Sequence, residues 1–548
     1  MSANSMSGGE AMIRAAMANG IDTFFGIPGA QIYPMYDAMH RLGVQHITAR
    51  HEQGAAYMAL GYARATGRPS AFTVVPGPGV LNTGAALCTA MGTNAPVLCL
   101  TGQVPRAFLG SGRGHLHELP NQQATLNSFI KGAHHISDPR QTSQVVNRAV
   151  AQMRTGRPGP VSVEMCWDTM AEATQVEIVP GAVAAPPAAD ESEIEAAVRL
   201  LSKAKRPLIM CGGGAQHASA EVLALAEKLN APVTAFRSGR GVVSEDHPLG
   251  VSSVAARLLY DDADLVIGIG SRLEMIYMRW RDMNTYERRP ADAGQPLIRI
   301  DIDPEEFSRL VPTVGVLADA AIACRRLCDA LPASQPGDNL SRITEAKAEA
   351  ARLVAKVEPQ MSYLGVIRDV LPRDGFFVPE LSQVGFTSYF GLPVYAPRTY
   401  VTEGYQGTLG FGFMTALGVK VACPEQAVVA VAGDGGFLFG VQELATAVAH
   451  DIGVVSVVFN NGSFGNVRRD QERGFDGRLI GAELTNPDFV ALAESFGARG
   501  YRVDSPRALR SVLAQAIAAD KPAVIDVSIE KGAEVSPWEF IMMPSRPG

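Results

Sequence analysis

Two oxygen-bearing side chains near the C-terminal end of the chain, Asp434 and Asn461, stand 27 positions apart, each just after an apolar run. Asp434 lies in Gly433-Asp434-Gly435-Gly436 after the run 427–432, and Asn461 closes Asn460-Asn461 after the run 454–459. A carboxylate and a neutral amide oxygen are hard donors suited to Mg2+ or Ca2+. The backbone carbonyl of Ser463 could add a third donor. One Asp and one Asn do not cage a magnesium ion, and Mg2+ held by few protein ligands takes its other positions from water and phosphate. The glycines at 433, 435 and 436 let backbone N–H groups approach an anion. These residue types ask for a diphosphate-bearing ligand held through a metal.

The elements that position them follow from periodicity. Both apolar runs read as buried parallel strands, and 437–450 carries a helical period. Strand, turn, helix and strand place Asp434 and Asn461 at the C-terminal edge of a parallel sheet, where open α/β sheets bind ligands. The N-terminal third alternates in the same way. Strands at 23–26, 46–48, 70–75 and 95–100 end in Ile27-Pro28-Gly29-Ala30, at His51-Glu52, in Pro76-Gly77-Pro78-Gly79-Val80-Leu81-Asn82, and in Thr101-Gly102-Gln103. Glu52 opens a helix running to Thr66. A carboxylate there could simply favour the positive end of that helix, or it could do chemistry.

Composition bounds the rest. A chain of 548 residues exceeds one ordinary domain, so two to four are expected. Hydrophobic residues at 47% against 19% charged fit large cores. A net charge of −7 with no basic block excludes nucleic acid as an expected partner. No run of about 18 apolar residues suggests a membrane span, and the first residues lack the plan of a signal peptide. Seven scattered cysteines give no metal spacing; Cys324 and Cys328, four apart, read as core packing, and reduced thiols in the cytoplasm are expected. Residues 175–191, rich in Pro and Ala, read as a linker, and 330–338 closes a middle segment.

The GDG and NN pair, in register with the intervening helix and strand, resembles the signature of thiamine diphosphate enzymes. FGIPGAQIYPMYDAM, RHEQGAAYMALGYAR, PGPGVLN and NAPVLCLTGQVPR are similar to segments of acetolactate synthases and of related 2-keto-acid carboligases and decarboxylases, including the benzoylformate decarboxylase type. The resemblance implies an α/β fold of three doubly wound parallel-sheet domains: a pyrimidine-binding domain over 1–174, a middle nucleotide-fold-like domain over 190–335 and a diphosphate-binding domain over 358–548. It implies thiamine diphosphate and Mg2+ as cofactors, with Asp434, Asn461 and Ser463 on the metal.

Residue by residue, the resemblance makes Glu52 the acid that hydrogen-bonds the aminopyrimidine ring and so promotes loss of the C2 proton of the thiazolium. Cofactor contacts are expected from Pro28, Asn82, Gly407, Gly433, Gly435, Gly436, Phe464 and Gly465. Leu409, 25 positions before Asp434, is expected as the apolar wedge under the bent cofactor; the other reading is a plain core residue. His115 and His117, in GSGRGHLHELP, could move protons or hold a carboxylate, or be exposed loop histidines. Ala30, Gln31 and His117 are the substrate-side candidates, and His134 and His135 read as surface residues. In this family the acid and the diphosphate site usually come from different subunits, which implies a homodimer or homotetramer.

Two departures bear on substrate. Leu116-His117 stands where the synthases have Phe-Gln, and Cys166-Trp167-Asp168 where they have Pro-Lys-Asp. Some of these synthases hold FAD in the middle domain. Arg272 resembles an arginine of the flavin pattern, but Leu273-Glu274-Met275 replaces the acidic residues that follow it, so FAD is left open and disfavoured. The expected activity is carboligation of 2-keto acids. The alternative is a decarboxylase or aldehyde lyase of the benzoylformate decarboxylase or benzaldehyde lyase type. The tail, residues 536–543, is expected to fold over the site on its apolar content alone.

Overall fold

Continuous apolar runs become strands buried on both faces, and each feeds a helix that packs back on the sheet. The computed structural model describes residues 4–182, 184–280, 293–332 and 339–543, and it contains three such parallel sheets. The first has six strands in the order Gln45–Thr48, Thr23–Gly26, Ser70–Val74, Val97–Gln103, Val161–Cys166 and Gly132–Ile136. The second, also of six, runs from Gly250–Val251 through Pro207–Cys211 and Leu265–Ile269 to Val314–Leu317. The third has five, in the order Phe376–Pro379, Val428–Gly433, Val454–Asn460, Ala523–Ser528 and Arg499–Val503. A short antiparallel ribbon pairs Asn4–Ser7 with Ala173–Val176. This is the expected α/β fold. Residues 333–338 of the segment read as closing the middle domain lie outside the described residues.

The first and third sheets are joined by two helices. Glu52–Thr66 starts at His51, whose extended backbone and Nδ1 cap the Gln53 N–H at 3.1 Å, and it stops at Gly67 with φ +70°. It crosses Phe411–Ala422 with backbones in contact, because Gly61 faces Thr415 and Gly418 faces Met58. Tyr57 meets Phe411 edge to face at 5.9 Å beside the crossing. One apolar core therefore runs through both units.

One expected element differs. The helical period over 437–450 does not form one helix. Asp434–Phe437, a 3-10 turn over Val441–Glu443 and Leu444–Ala449 replace it. Gly440 sits against Met414, where a Cβ would come within 2.6 Å of Met414 Cγ. The break turns Glu443 inward, fully buried, against the N-terminal unit.

Candidate cofactor site

Strand register brings the C-terminal ends of Val428–Gly433 and Val454–Asn460 side by side, with Gly433 opposite Phe459. Asp434 is 2% exposed. Its Oδ1 accepts the Gly435 N–H at 2.9 Å, and its Oδ2 accepts the Gly462 N–H at 2.8 Å and Asn486 Nδ2 at 2.7 Å. Burial pushes this carboxyl above its ordinary range, opposed by those donors. Asn461 Oδ1 accepts from the Ser463 N–H at 3.0 Å and Oγ at 2.9 Å, while Nδ2 donates to Glu534 Oε2 at 2.7 Å.

A cavity of about 290 Å³ opens between these ends. Gly407, Leu409, Gly433, Asp434, Gly435, Gly436, Asn461, Ser463, Phe464 and Gly465 all lie on its wall. Leu409 is half-buried there, so it is a wall residue and not a plain core residue. Gly407 has φ +59°, a left-handed backbone that suits glycine. One carboxylate and one amide oxygen are hard donors of the kind that suits Mg2+ when phosphate and water complete its shell. Asn486 Oδ1, beside Asp434, is buried without a partner, leaving acceptor capacity at the same place.

The second group lies on the first sheet. Glu52 is half-buried, and its Oε2 accepts Asn82 Nδ2 at 3.0 Å. Gly79 lies beside it: a Cβ there would sit in ordinary contact at 3.7 Å from Glu52 Oε1 but would come within 2.7 Å of Val75 Cγ2. The turn carrying these residues is pinned by Gln122, which accepts the Gly77 N–H at 2.9 Å and donates to buried Glu164 at 2.7 Å. Pro28 is exposed and Ala30 half-buried in the turn after Thr23–Gly26. None of these residues lines the cavity that holds Asp434. Within one chain, Glu52 and its neighbours thus do not share the Asp434 cavity.

Gln31 and His117 do come together. Gln31, 1% exposed, pairs its Oε1 with His117 Nδ1 at 3.1 Å and donates Nε2 to the Leu116 carbonyl at 3.1 Å. His117 takes φ +65°, and its carbonyl packs on Gly77. His115 instead stacks on Phe108 at 3.8 Å. Glu118 shapes this loop by accepting the N–H groups of Gly112, Gly114 and His115. His134 and His135 are not plain surface residues: both are half-buried, and they bond Gln152 at 2.8 Å and Glu164 at 3.0 Å.

Four residues at or beside the site carry no sequence signal. Asn486 orients Asp434, Glu534 lines the cavity from the tail, and Glu443 reaches the Glu52 turn. Glu380, 2% exposed, accepts the N–H groups of Gly410 at 2.8 Å and Gly412 at 2.9 Å, next to Leu409. Each acts across a long stretch of chain, which no local pattern reports. The tail lies along this side: Trp538 Nε1 donates to Asn466 Oδ1 at 2.7 Å and the indole packs on Phe386.

A separate cavity of about 320 Å³ lies between the middle sheet and the N-terminal unit, with Arg64, Arg157, Arg272 and Arg398 on its wall. Arg272 lies over the Tyr405 ring at 4.6 Å.

Known proteins are similar to this chain in sequence. Residues 6–125 match the thiamine pyrophosphate enzyme N-terminal TPP binding domain, 194–327 its central domain and 382–527 its C-terminal TPP binding domain. The probable acetolactate synthase large subunit of Methanocaldococcus jannaschii is 33% identical over 96% of this chain and 92% of its own length. The probable 2-ketoarginine decarboxylase of Pseudomonas aeruginosa is 32% identical over 90% and 88%. The acetolactate synthase isozyme 1 large subunit of Escherichia coli is 28% identical over 97% and 95%. The chain belongs to the thiamine pyrophosphate enzyme family. Within it, the chain is an acetolactate synthase-like enzyme that depends on thiamine diphosphate. No helix among the described residues is long and apolar enough to cross a membrane.

Proposed function

We propose that the protein is a carboligase of 2-keto acids: a donor loses CO2 and its remaining fragment joins a second carbonyl compound as a 2-hydroxy ketone. The observation that carries this is the meeting of Asp434, Asn461 and Leu409 around one cavity in a chain similar to acetolactate synthases along nearly its whole length. The bound cofactor supplies an electron sink for the carbon–carbon step. Asp434, Asn461 and the Ser463 carbonyl hold Mg2+, and the Gly433–Gly436 turn takes the diphosphate. Gly407 and Leu409 seat the ring system, and Phe464 and Gly465 close the wall. Glu52, oriented by Asn82, holds the proton that bonds the pyrimidine. Gln31 and His117 bind the substrate side, and His115 and His117 serve as the proton-handling pair. FAD is not part of this reading, since Arg272 is stacked on Tyr405 and the residues after it lack the acidic pattern.

The separation of Glu52 from the Asp434 cavity supports a homodimer or homotetramer whose sites form between subunits. The proposed domains are 1–174, 190–335 and 358–548, and the proposed location is the cytoplasm. Mixing two inactive variants, Glu52→Gln and Asp434→Ala, should restore turnover, because a mixed dimer regains one intact site. Mixtures that stay inactive despite subunit exchange would contradict a shared site.

The activity is tested with thiamine diphosphate and Mg2+ against a panel of 2-keto acids and aldehydes, reading CO2 and organic products by mass spectrometry. A 2-hydroxy ketone is the expected product. CO2 with free aldehyde alone would replace this reading by a decarboxylase, the activity for which the Pseudomonas relative is named.

A further inference from the structure

We infer that Glu443, contributed by the diphosphate-binding unit, is the positioning residue that fixes the Glu52 turn of the same chain. This rests on Glu52 being the activating acid.

Glu443 ends the 3-10 turn Val441–Glu443, in the same segment as Asp434, yet its side chain leaves the cavity and enters the N-terminal unit. Its Oε1 accepts the His51 N–H at 2.9 Å, and its Oε2 accepts the Arg50 N–H at 3.0 Å. Thr446 Oγ1 donates to the same carboxylate at 2.7 Å. One further bond ties the strand just before: the Thr48 N–H meets His450 Nε2 at 3.0 Å, and Thr446 Oγ1, its proton on Glu443, lies 3.2 Å from the Thr48 carbonyl. Residues 48, 50 and 51, which lead into Glu52, are thus held by one short stretch, 443–450.

A fully buried carboxylate is costly unless hydrogen-bonded. Here three donors satisfy it, two of them the backbone N–H groups directly ahead of Glu52. Gly54 makes the approach: a Cβ there would come within 2.6 Å of Glu443 Cδ. A plain interdomain clasp would stabilise the fold without governing the acid. A positioning residue must instead change what Glu52 does to the cofactor.

The test uses the full chain. In Glu443→Ala the Arg50 and His51 amides should lose hydrogen-exchange protection in the cofactor-free protein. With thiamine diphosphate and Mg2+ bound, exchange of the C2 proton should slow about tenfold, the scale of one or two lost charge-assisted hydrogen bonds. Cofactor affinity should stay within a factor of about two, since Glu443 does not line the cavity. Glu443→Gln, keeping one acceptor oxygen, should restore part of the rate.

Gly54→Ala reaches the same contact from the other side, keeps the acid, and should slow exchange likewise. The double variant Gly54→Ala with Glu443→Ala should be no slower than either alone, because both remove one interaction. C2 exchange at the wild-type rate in Gly54→Ala and Glu443→Ala, or fully additive losses in the double variant, would overturn the inference. If Glu443→Ala does not fold, Gly54→Ala decides alone. Wild-type exchange in Glu52→Gln would instead bring down the reading of Glu52 itself. A slow Glu52→Gln beside normal Glu443 and Gly54 variants would bring down only the role of Glu443.

Discussion

Gly418 lies against the backbone of Met58, so that a Cβ at 418 would come within 2.6 Å of the Met58 Cα. Met58 belongs to the helix that Glu52 opens, and Gly418 to the helix that follows Leu409 by two residues. The crossing therefore sets the distance between the two segments that carry the acid and the wedge. Gly418→Ala should destabilise the fold by about 1–3 kcal/mol, the usual cost of overpacking a close contact. Chemical denaturation with an unchanged midpoint would show that the helices can move apart freely.

Asn486 Nδ2 donates to Asp434 Oδ2 at 2.7 Å and to Asn460 Oδ1 at 3.0 Å. Partners that orient a metal ligand matter nearly as much as the ligand. Asn486→Ala should weaken Mg2+-dependent retention of thiamine diphosphate by about 10- to 100-fold. A magnesium titration followed by intrinsic fluorescence measures it, and an unchanged midpoint would contradict the role.

Glu380 gives a pH signature. Burial pushes its carboxyl from an ordinary 4.5 up to about 7, against the Gly410 and Gly412 N–H groups. The folded protein therefore binds this proton more tightly than the unfolded chain. The stability it contributes is fully present below 4.5 and is lost as the pH rises through 7. The change is on the order of 3 kcal/mol. Glu380→Gln should flatten the fall in unfolding free energy between about pH 5 and pH 8. Equal slopes for wild type and variant over that range would be the contrary result.

Much of this was readable from residue order. Asp434 and Asn461 follow uninterrupted apolar runs, and adjacent parallel strands bring such run ends together whatever else the chain does. Leu409 was reached only through the family resemblance, which expects an apolar residue 25 positions before Asp434; its residue type alone does not separate a wall position from a core one. Glu443 was not, because a helical period over 437–450 does not register the break that Met414 imposes at Gly440. Its partners Arg50 and His51 lie 393 and 392 positions away. Asn486 and Glu534 come from irregular segments whose position depends on the assembled third sheet. The half-burial of His134 and His135 follows from their strand lying beside Val161–Cys166, where Glu164 is buried, a pairing no alternation pattern specifies.

The proposed activity turns on Glu52 as the activating acid, held by Asn82 at 3.0 Å. The most direct measurement is hydrogen–deuterium exchange at C2 of enzyme-bound thiamine diphosphate, in wild type and in Glu52→Gln, at saturating cofactor and Mg2+. Loss of a positioned acid or base removes on the order of a hundredfold or more in rate, so exchange in the variant should slow by that much while the cofactor stays bound. Exchange at the wild-type rate in Glu52→Gln would show that Glu52 is not the activating acid.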